Sequence, residues 1–146
     1  MNAVRVRPAA VGDVPALWRC DTLAELRADR KSQIERAVQR QECFVAEAEG
    51  EVAGFSILHH EFFGRGFISL VIVAGEFRRR GIALSLLGAA ENACRTSKLF
   101  TSTNASNVPA QALLRKSGFS RSGVVDNLDP GDPEYIYFKE VRRHEG

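Results

Sequence analysis

The run Phe67–Ala74 limits what this chain can fold into more than any other segment. Seven of its eight residues are apolar, the exception being Ser69, so a strand formed here would present apolar side chains on both faces. Such a strand is stable only inside a sheet that is covered on both sides. The run is far shorter than the roughly 20 apolar residues that span a bilayer, and no other segment approaches that length.

The hydrophobic pattern around this run predicts an alternation of strands and helices, with Glu49–Glu51 as a hairpin turn and His59–Gly66 and Asn127–Pro133 as loops. Predicted strands are Val4–Pro8, Cys43–Ala48, Val52–Leu58, Phe67–Ala74, Leu99–Thr103, Phe119–Val125 and Glu134–Val141. Predicted helices are Pro15–Asp29, Ser32–Arg40, Ile82–Ser97 and a helix from Ser106 or Asn107 to Ser117, ended by Gly118. The order β-α-α-β-β-β-α-β-α-β-β predicts an α/β fold (an α+β mixed sheet) flanked by helices, in a single domain over residues 1–146.

Composition excludes several classes of protein. Twenty basic and eighteen acidic residues leave a net charge of +2, which argues against a nucleic-acid-binding arm and against a polyacidic tail. Arg5 and Arg7 are followed by no apolar h-region, so no secretory signal is expected. The three cysteines are widely spaced and form no metal-binding pattern. We expect no metal, no membrane association, and buried reduced thiols in a cytoplasmic protein.

The segment Arg78–Ala83 is the clearest candidate site. It lies between the buried strand and the first turn of the next helix, where four backbone N–H groups lack intrahelical partners and the helix dipole is positive. Gly81 lets the backbone approach an oxygen closely, and arginines supply bidentate cationic donors. This arrangement predicts a phosphate or pyrophosphate site, the alternative being a solvated basic turn. The P-loop and dinucleotide glycine motifs are absent from the sequence.

Three motifs, two of them at the right separation, resemble the GNAT superfamily of acyl-CoA N-acyltransferases over nearly the whole chain. The first is Gln/Arg-x-x-Gly-x-Gly/Ala after a strand. The second is Asn-x-x-Ala-x-x-Leu followed by Gly-Phe. The third is an N-terminal Val-Arg-x-Ala-x-x-x-Asp. The matching residues are Arg78, Gly81 and Ala83 after Val71–Val73; Asn107, Ala110, Leu113, Gly118 and Phe119; and Val6, Arg7, Ala9 and Asp13.

This resemblance implies a sheet splayed between the fourth and fifth strands, with acetyl-CoA as cosubstrate. The pantetheine arm would pair with backbone near Val71 and Val73, and the N–H near Val73 would stabilise the oxyanion. The pyrophosphate would meet the amides of Arg79–Ala83. The predicted cofactor-binding residues are Val71, Val73, Arg78, Arg79, Arg80, Gly81, Ile82, Ala83 and Asn107.

The chain departs from the family where catalytic groups are common. Leu114 stands where family members often have a tyrosine that serves as the general acid. Ser69 and Phe67 stand where a carboxylate is common, and Gly75 stands where a proline is common. The predicted catalytic residues are Glu61 and His60, which lie beside His59. A histidine there could act near neutral pH, and the alternative is that these are ordinary polar loop residues. Weaker candidates, each with a structural alternative, are Tyr135, Tyr137, Thr101, Thr103, Asp126 and Asp129.

The expected function is transfer of an acetyl group from acetyl-CoA to a primary amine of a small molecule or protein, by direct attack in a ternary complex. The alternative is an acetyl-CoA or CoA-binding module with little turnover, which the missing tyrosine and carboxylate motivate. Nucleic-acid binding through Arg78–Arg80 is disfavoured because the basic patch is short and lacks a stacking platform. The resemblance also leaves a homodimer formed through the last strands open.

Overall fold

The computed structural model describes residues 3–141, which form a seven-stranded mixed sheet flanked by helices. Strands β1 to β7 span Arg5–Pro8, Cys43–Ala48, Glu51–Phe62, Arg65–Val73, Lys98–Asn104, Ser120–Val125 and Glu134–Glu140. Helices α1 to α5 span Val14–Cys20, Thr22–Leu26, Ala28–Gln39, Ile82–Ala93 and Val108–Lys116, with short 3₁₀ turns at Val11–Asp13 and Gly75–Phe77. The strand order is β1-β2-β3-β4-β5-β7-β6, and β4 pairs with β5 in parallel through Gly66–Ile68 and Leu99–Thr101. The predicted mixed α/β class is confirmed.

Contacts divide the chain into two compact units. The first comprises the described residues up to Leu58 together with Leu70–Asn92. Its sheet pairs β1 with β2 and β2 with β3, both antiparallel. Helices α1, α3 and α4 contribute core residues that pack with those of the sheet, and the fully buried members include Leu17, Ile34, Val45, Phe55 and Leu86. Each such side chain stabilises the fold by roughly 1.5–3 kcal/mol relative to an exposed one.

A clasp in the first unit joins β1 to the start of α1. The guanidinium of Arg7 donates to both carboxylate oxygens of Asp13, at 2.8 and 2.9 Å. Asp13 Oδ2 also accepts the N–H of Ala10 at 2.7 Å. The hydrogen bonds from Arg7 hold the pKa of the Asp13 carboxyl below its usual value. These two residues of the N-terminal motif therefore have a visible structural role.

The second unit comprises His59–Ser69 and the described residues from Ala93 onwards. In this unit β7 pairs antiparallel with both β5 and β6. Leu99, Ile68 and Tyr137 are buried. A row of phenylalanine rings crosses four strands, with neighbouring centroids 4.8 to 6.0 Å apart: Phe67, Phe62, Phe100 and Phe138.

The predicted single helix Pro15–Asp29 is wrong, because the chain breaks at Asp21 into α1 and α2. Asp21 has an extended backbone (φ −109°, ψ 102°), and its carboxylate accepts the N–H of Leu23 at 3.1 Å. The same carboxylate binds Arg30 at 2.8 Å and is buried. A buried capping carboxylate favours a new helix start over a continuous helix. The following helix begins at Ala28 rather than at the predicted Ser32.

The predicted loop His59–Gly66 is also wrong. Strand β3 continues to Phe62 and β4 starts at Arg65, so the connection is the two-residue turn Phe63–Gly64. Both turn residues have positive φ (52° and 75°), as a type I′ hairpin requires. Stacking of Phe62 on Phe67 favours the extended pairing.

The predicted helix Ile82–Ser97 ends earlier, at Ala93. The N–H of Arg95 donates to His60 Nε2 at 3.0 Å instead of continuing the helix. Thr96 Oγ1 accepts the N–H of Gly66 at 3.0 Å and donates to Lys98 O at 2.8 Å. These bonds within the second unit replace the last helical turn.

Candidate functional site

The turn Arg78–Gly81 in the first unit is held between two buried apolar residues. Phe77 before it is 4% exposed, and Ile82 after it is 1% exposed. The N–H of Ala74, just after β4, donates to Ala53 O on β3 at 2.8 Å and fixes the end of that strand. Both ends of the exposed turn are therefore anchored in the core.

The backbone of this turn has an unusual conformation. Arg79 and Gly81 both have positive φ, 66° and 76°. The carbonyl of Gly81 accepts the N–H of Ser85 at 3.1 Å, so the intrahelical bonds of α4 begin there. The N–H groups of Ile82 and Ala83 belong to the first turn, which has no intrahelical acceptors, and the helix dipole adds positive potential. A Cβ built on Gly81 would meet no atom of the described residues within 4 Å, which leaves space for a ligand oxygen.

The three arginines of the turn have different surroundings. The guanidinium of Arg80 forms an ion pair with Glu49 on the β2–β3 turn, and it lies 5.3 Å from the ring centroid of Phe77. The side chains of Arg78 and Arg79 are exposed and make no hydrogen bond or ion pair within residues 3–141. Arg78 and Arg79 are thus the two cations of the turn available to an anionic ligand.

The end of β4, where Val71 and Val73 were predicted to meet pantetheine, is half-buried from Leu70 through Val73. It approaches β3 very closely at Gly54. A Cβ on that glycine would lie 2.5 Å from Ile72 O and 3.2 Å from Val73 Cα.

Asn107, the remaining predicted cofactor residue, caps α5 in the second unit. Its side-chain oxygen accepts the N–H of Ala110 at 3.1 Å. The residue is exposed. The second motif of the sequence therefore has a helix-capping role in this unit, and Gly118 with φ 94° ends the same helix as expected.

His60 and Glu61, the predicted catalytic pair, lie near the end of β3 in the second unit. His60 Nε2 accepts the N–H of Arg95, so a neutral ring carries its proton on Nδ1. Glu61 is exposed, and its carboxylate accepts no hydrogen bond from the described part of the chain. Its backbone N–H donates to His59 Nδ1 at 3.1 Å.

Most of the weaker candidates make contacts that stabilise the fold. Tyr137 is 0% exposed and its hydroxyl donates to Gln111 Oε1 at 3.2 Å, as expected for a packing residue. Thr101 Oγ1 donates to Ile68 O at 2.8 Å. The guanidinium of Arg121 lies over the ring of Tyr135, with its Cζ 3.5 Å from the ring centroid. The other three are half-buried Thr103, exposed Asp126, and Asp129, whose Oδ2 accepts from Asn104 at 2.9 Å.

Sequence reasoning missed three residues around the turn: Glu49, Phe77 and Gly54. An isolated glycine inside a strand pattern indicates close backbone approach, and that signal could have identified Gly54. The ion pair of Glu49 joins residues 31 positions apart and has no local signature. A further polar pair, Ser102 Oγ donating to Glu134 Oε2 at 2.7 Å, was equally invisible in sequence.

Within residues 3–141 no helix is long and apolar enough to cross a membrane. Across the same residues no cluster of three or more His, Cys, Asp or Glu side chains is arranged to hold a metal ion. All three cysteines are free and buried.

Comparison with known proteins gives consistent matches. A family model described as the acetyltransferase (GNAT) family matches residues 14–119. A GNAT-family acetyltransferase structure from Bacillus cereus is 34% identical, with a TM-score of 0.91, and the match covers 97% of this chain and 99% of that one. Ard1 from Thermoplasma volcanium has a TM-score of 0.84 at 20% identity, covering 97% and 99%.

A third structure, ribosomal-protein-alanine N-acetyltransferase from Brucella melitensis, has a TM-score of 0.76 at 22% identity, covering 94% of this chain and 99% of that chain. The two more distant matches support the fold alone. No curated protein sequence gives a significant match.

Proposed function

Because the chain belongs to the GNAT acetyltransferase family, we propose that it transfers the acetyl group of acetyl-CoA to a primary amine. The observation that carries the proposal is the turn Arg78–Ala83. It combines first-turn amides of α4, a glycine with open space beside its Cα, and two exposed arginines without partners among the described residues.

The pyrophosphate of the cosubstrate would bind the amides from Arg79 to Ala83, with Arg78 and Arg79 as charged donors. Hydrogen bonds to a charged group contribute about 1.5–3 kcal/mol each, so a few of them would dominate the affinity. Arg80 would contribute less, because its guanidinium is already paired with Glu49. The pantetheine arm would add to the backbone near Val71 and Val73 by strand-like hydrogen bonds.

The reaction is a direct transfer within a ternary complex. The amine nitrogen attacks the thioester carbonyl carbon, a C–N bond forms and the C–S bond breaks. The nitrogen loses one proton, and the sulfur leaves with the bonding electron pair. We propose that water accepts that proton. A thiolate whose conjugate acid has a pKa near ~8.5 can leave without a positioned acid, which accommodates Leu114 at the usual tyrosine position.

Calorimetry with CoA tests the binding half of this proposal. Wild-type protein should bind CoA, Arg79→Gln should weaken binding about tenfold, and the matched control Arg80→Gln should weaken it much less. Glutamine is an unbranched polar residue like arginine but carries no charge. The substitution therefore removes the cation and leaves the backbone requirement of position 79 nearly unchanged. Equal losses in the two variants would contradict the assignment, and absence of binding to the wild type would overturn the proposed function.

Thiol release tests the transfer half. The protein is mixed with acetyl-CoA and a panel containing a peptide with a free N-terminal amine, a lysine-containing peptide, a polyamine and an arylalkylamine. Amine-dependent release of free thiol supports the acetyltransferase. CoA binding without release across the panel supports the second candidate, a CoA-binding module, which Leu114, Ser69 and Phe67 at usual catalytic positions favour.

Two further proposals concern the setting of this activity. Free, buried cysteines are consistent with work in the reducing cytoplasm.

Strand β6 is the last strand in the strand order, and its Val124 is 50% exposed. A second copy could therefore pair along this edge strand. Light scattering of the wild type and of Val124→Lys tests that dimer; a monomeric wild type would contradict it.

A further inference from the structure

Gly54 is a buried glycine near the start of β3, and its neighbours leave no room for a larger side chain. A Cβ there would lie 2.5 Å from Ile72 O, 3.2 Å from Val73 Cα and 3.4 Å from Ile82 Cγ2. The two closest atoms belong to the backbone of β4, so no side-chain rotation can relieve the contact. The φ of Gly54 is outside the positive range, hence the glycine serves close approach and not an unusual backbone conformation.

The two crowded atoms define one peptide group. Ile72 O and the N–H of Val73 belong to the same planar unit, and every peptide bond described is trans. In a trans peptide the carbonyl and the N–H point in opposite directions. Because Ile72 O lies against Gly54, the N–H of Val73 points away from Gly54 and β3.

This coupling gives Gly54 a role in the reaction. We infer that Gly54 is a positioning residue that aims the N–H of Val73 at the thioester oxygen by letting the Ile72 carbonyl lie against β3. The inference rests on the proposed function, in which that N–H stabilises the oxyanion. A donor of this kind works only when it is directed at the place where negative charge develops.

Substituting Gly54 should separate chemistry from binding. A methyl group would displace Ile72 O and turn the whole peptide plane, whereas the turn Arg78–Ala83 would keep its contacts with the pyrophosphate. We expect Gly54→Ala to lower kcat by about tenfold or more, since loss of one oxyanion donor costs about 10²–10³. The Kd for CoA should change by a smaller factor than kcat, because the pyrophosphate contacts are kept and only the pantetheine pairing near Val73 is disturbed.

Gly66 provides a matched control for crowding. Its Cβ would also lie 2.5 Å from a neighbouring atom, but that atom is the side-chain sulfur of Cys94 in the second unit. Gly66→Ala should lower the free energy of unfolding as Gly54→Ala does and leave kcat close to that of the wild type. Equal effects of both variants on kcat would make the effect one of stability alone and would overturn the inference.

The amide resonance of Val73 gives a second readout that a structural role would not move. In ¹H–¹⁵N spectra of the wild type, acetyl-CoA should shift this resonance more than CoA does, and in Gly54→Ala the difference should disappear. If acetyl-CoA and CoA shift the Val73 resonance of the wild type equally, the inference is overturned. This readout needs only the wild type, so it decides the matter even if Gly54→Ala fails to fold. Failure of the wild type to bind CoA instead refutes the proposed function, so the two failures are distinguishable.

Discussion

Gly81 allows the binding turn to be tested separately from the stability of the fold. Its φ is 76°, and a Cβ there would meet no described atom within 4 Å. Gly81→Ala should therefore destabilise the free protein only through the left-handed backbone, by about 1–2 kcal/mol, with no added clash. Gly81→Asn should cost less, because asparagine adopts this conformation more readily.

Affinity for CoA should follow a different order from stability. The Cβ of either variant occupies the space that a pyrophosphate oxygen would need, so at least one charged hydrogen bond of about 1.5–3 kcal/mol is lost. That loss corresponds to about tenfold or more in Kd, since 1.4 kcal/mol is one factor of ten. Gly81→Asn should thus preserve the fold and still weaken CoA binding.

Urea unfolding of the free protein and calorimetric titration with CoA measure the two quantities independently. Gly75→Ala is a suitable control, because a Cβ built there would meet no described atom within 4 Å and the φ of Gly75 lies outside the positive range. A Gly81→Asn variant that binds CoA as tightly as the wild type would refute the placement of the phosphate at this turn.

Three further predictions concern the framework around the site. The pKa of Asp13 is lowered by Arg7, so the stability that separates wild type from Asp13→Asn, about 1–2 kcal/mol, should be present at neutral pH, decline once the pH falls below the ordinary carboxyl pKa, and be lost only below the lowered pKa of the folded state; urea unfolding at pH 7 and pH 3 measures the decline, and a constant difference would contradict it. Tyr137→Phe should cost about 1 kcal/mol by leaving Gln111 Oε1 without its donor while kcat is unchanged, and a loss of turnover at unchanged stability would place the hydroxyl in the chemistry. The hydroxyl of Ser56 is buried without a partner among the described residues, so Ser56→Ala should leave stability unchanged or raise it by up to about 1 kcal/mol; thermal unfolding showing a clear loss would indicate an unrecognised hydrogen bond.

Local signals predicted most of the secondary structure. The apolar run around Ile68, the hairpin at Glu49–Gly50 and the helix ended by Gly118 each depend on residues close in sequence, and the structure has a strand, a turn and a helix at these places. Errors arose where distant residues decide. Asp21 breaks a helix because Arg30 and a backbone N–H meet its carboxylate, and β3 continues because Phe62 stacks on Phe67.

The candidate site shows the same division. The position of Gly81 and the exposed arginines was predictable from motif and helix physics. The different surroundings of Arg80 were not, because its partner Glu49 lies on another hairpin and only the folded chain brings the two together. Periodicity likewise cannot reveal that Gly54 is opposite the Ile72 carbonyl, since that depends on how two strands approach each other.

The burial of the cysteines has a practical consequence for measuring turnover. Burial raises the pKa of the Cys20 thiol to about 11, with a smaller contribution from Glu76, and raises that of Cys43 to about 12. Disulfide reagents react with thiolates, so sulfhydryl groups held in this way react slowly while the protein stays folded. A colorimetric reagent should therefore report liberated CoA against a low background, and a sudden rise in that background would signal unfolding of the protein during the run.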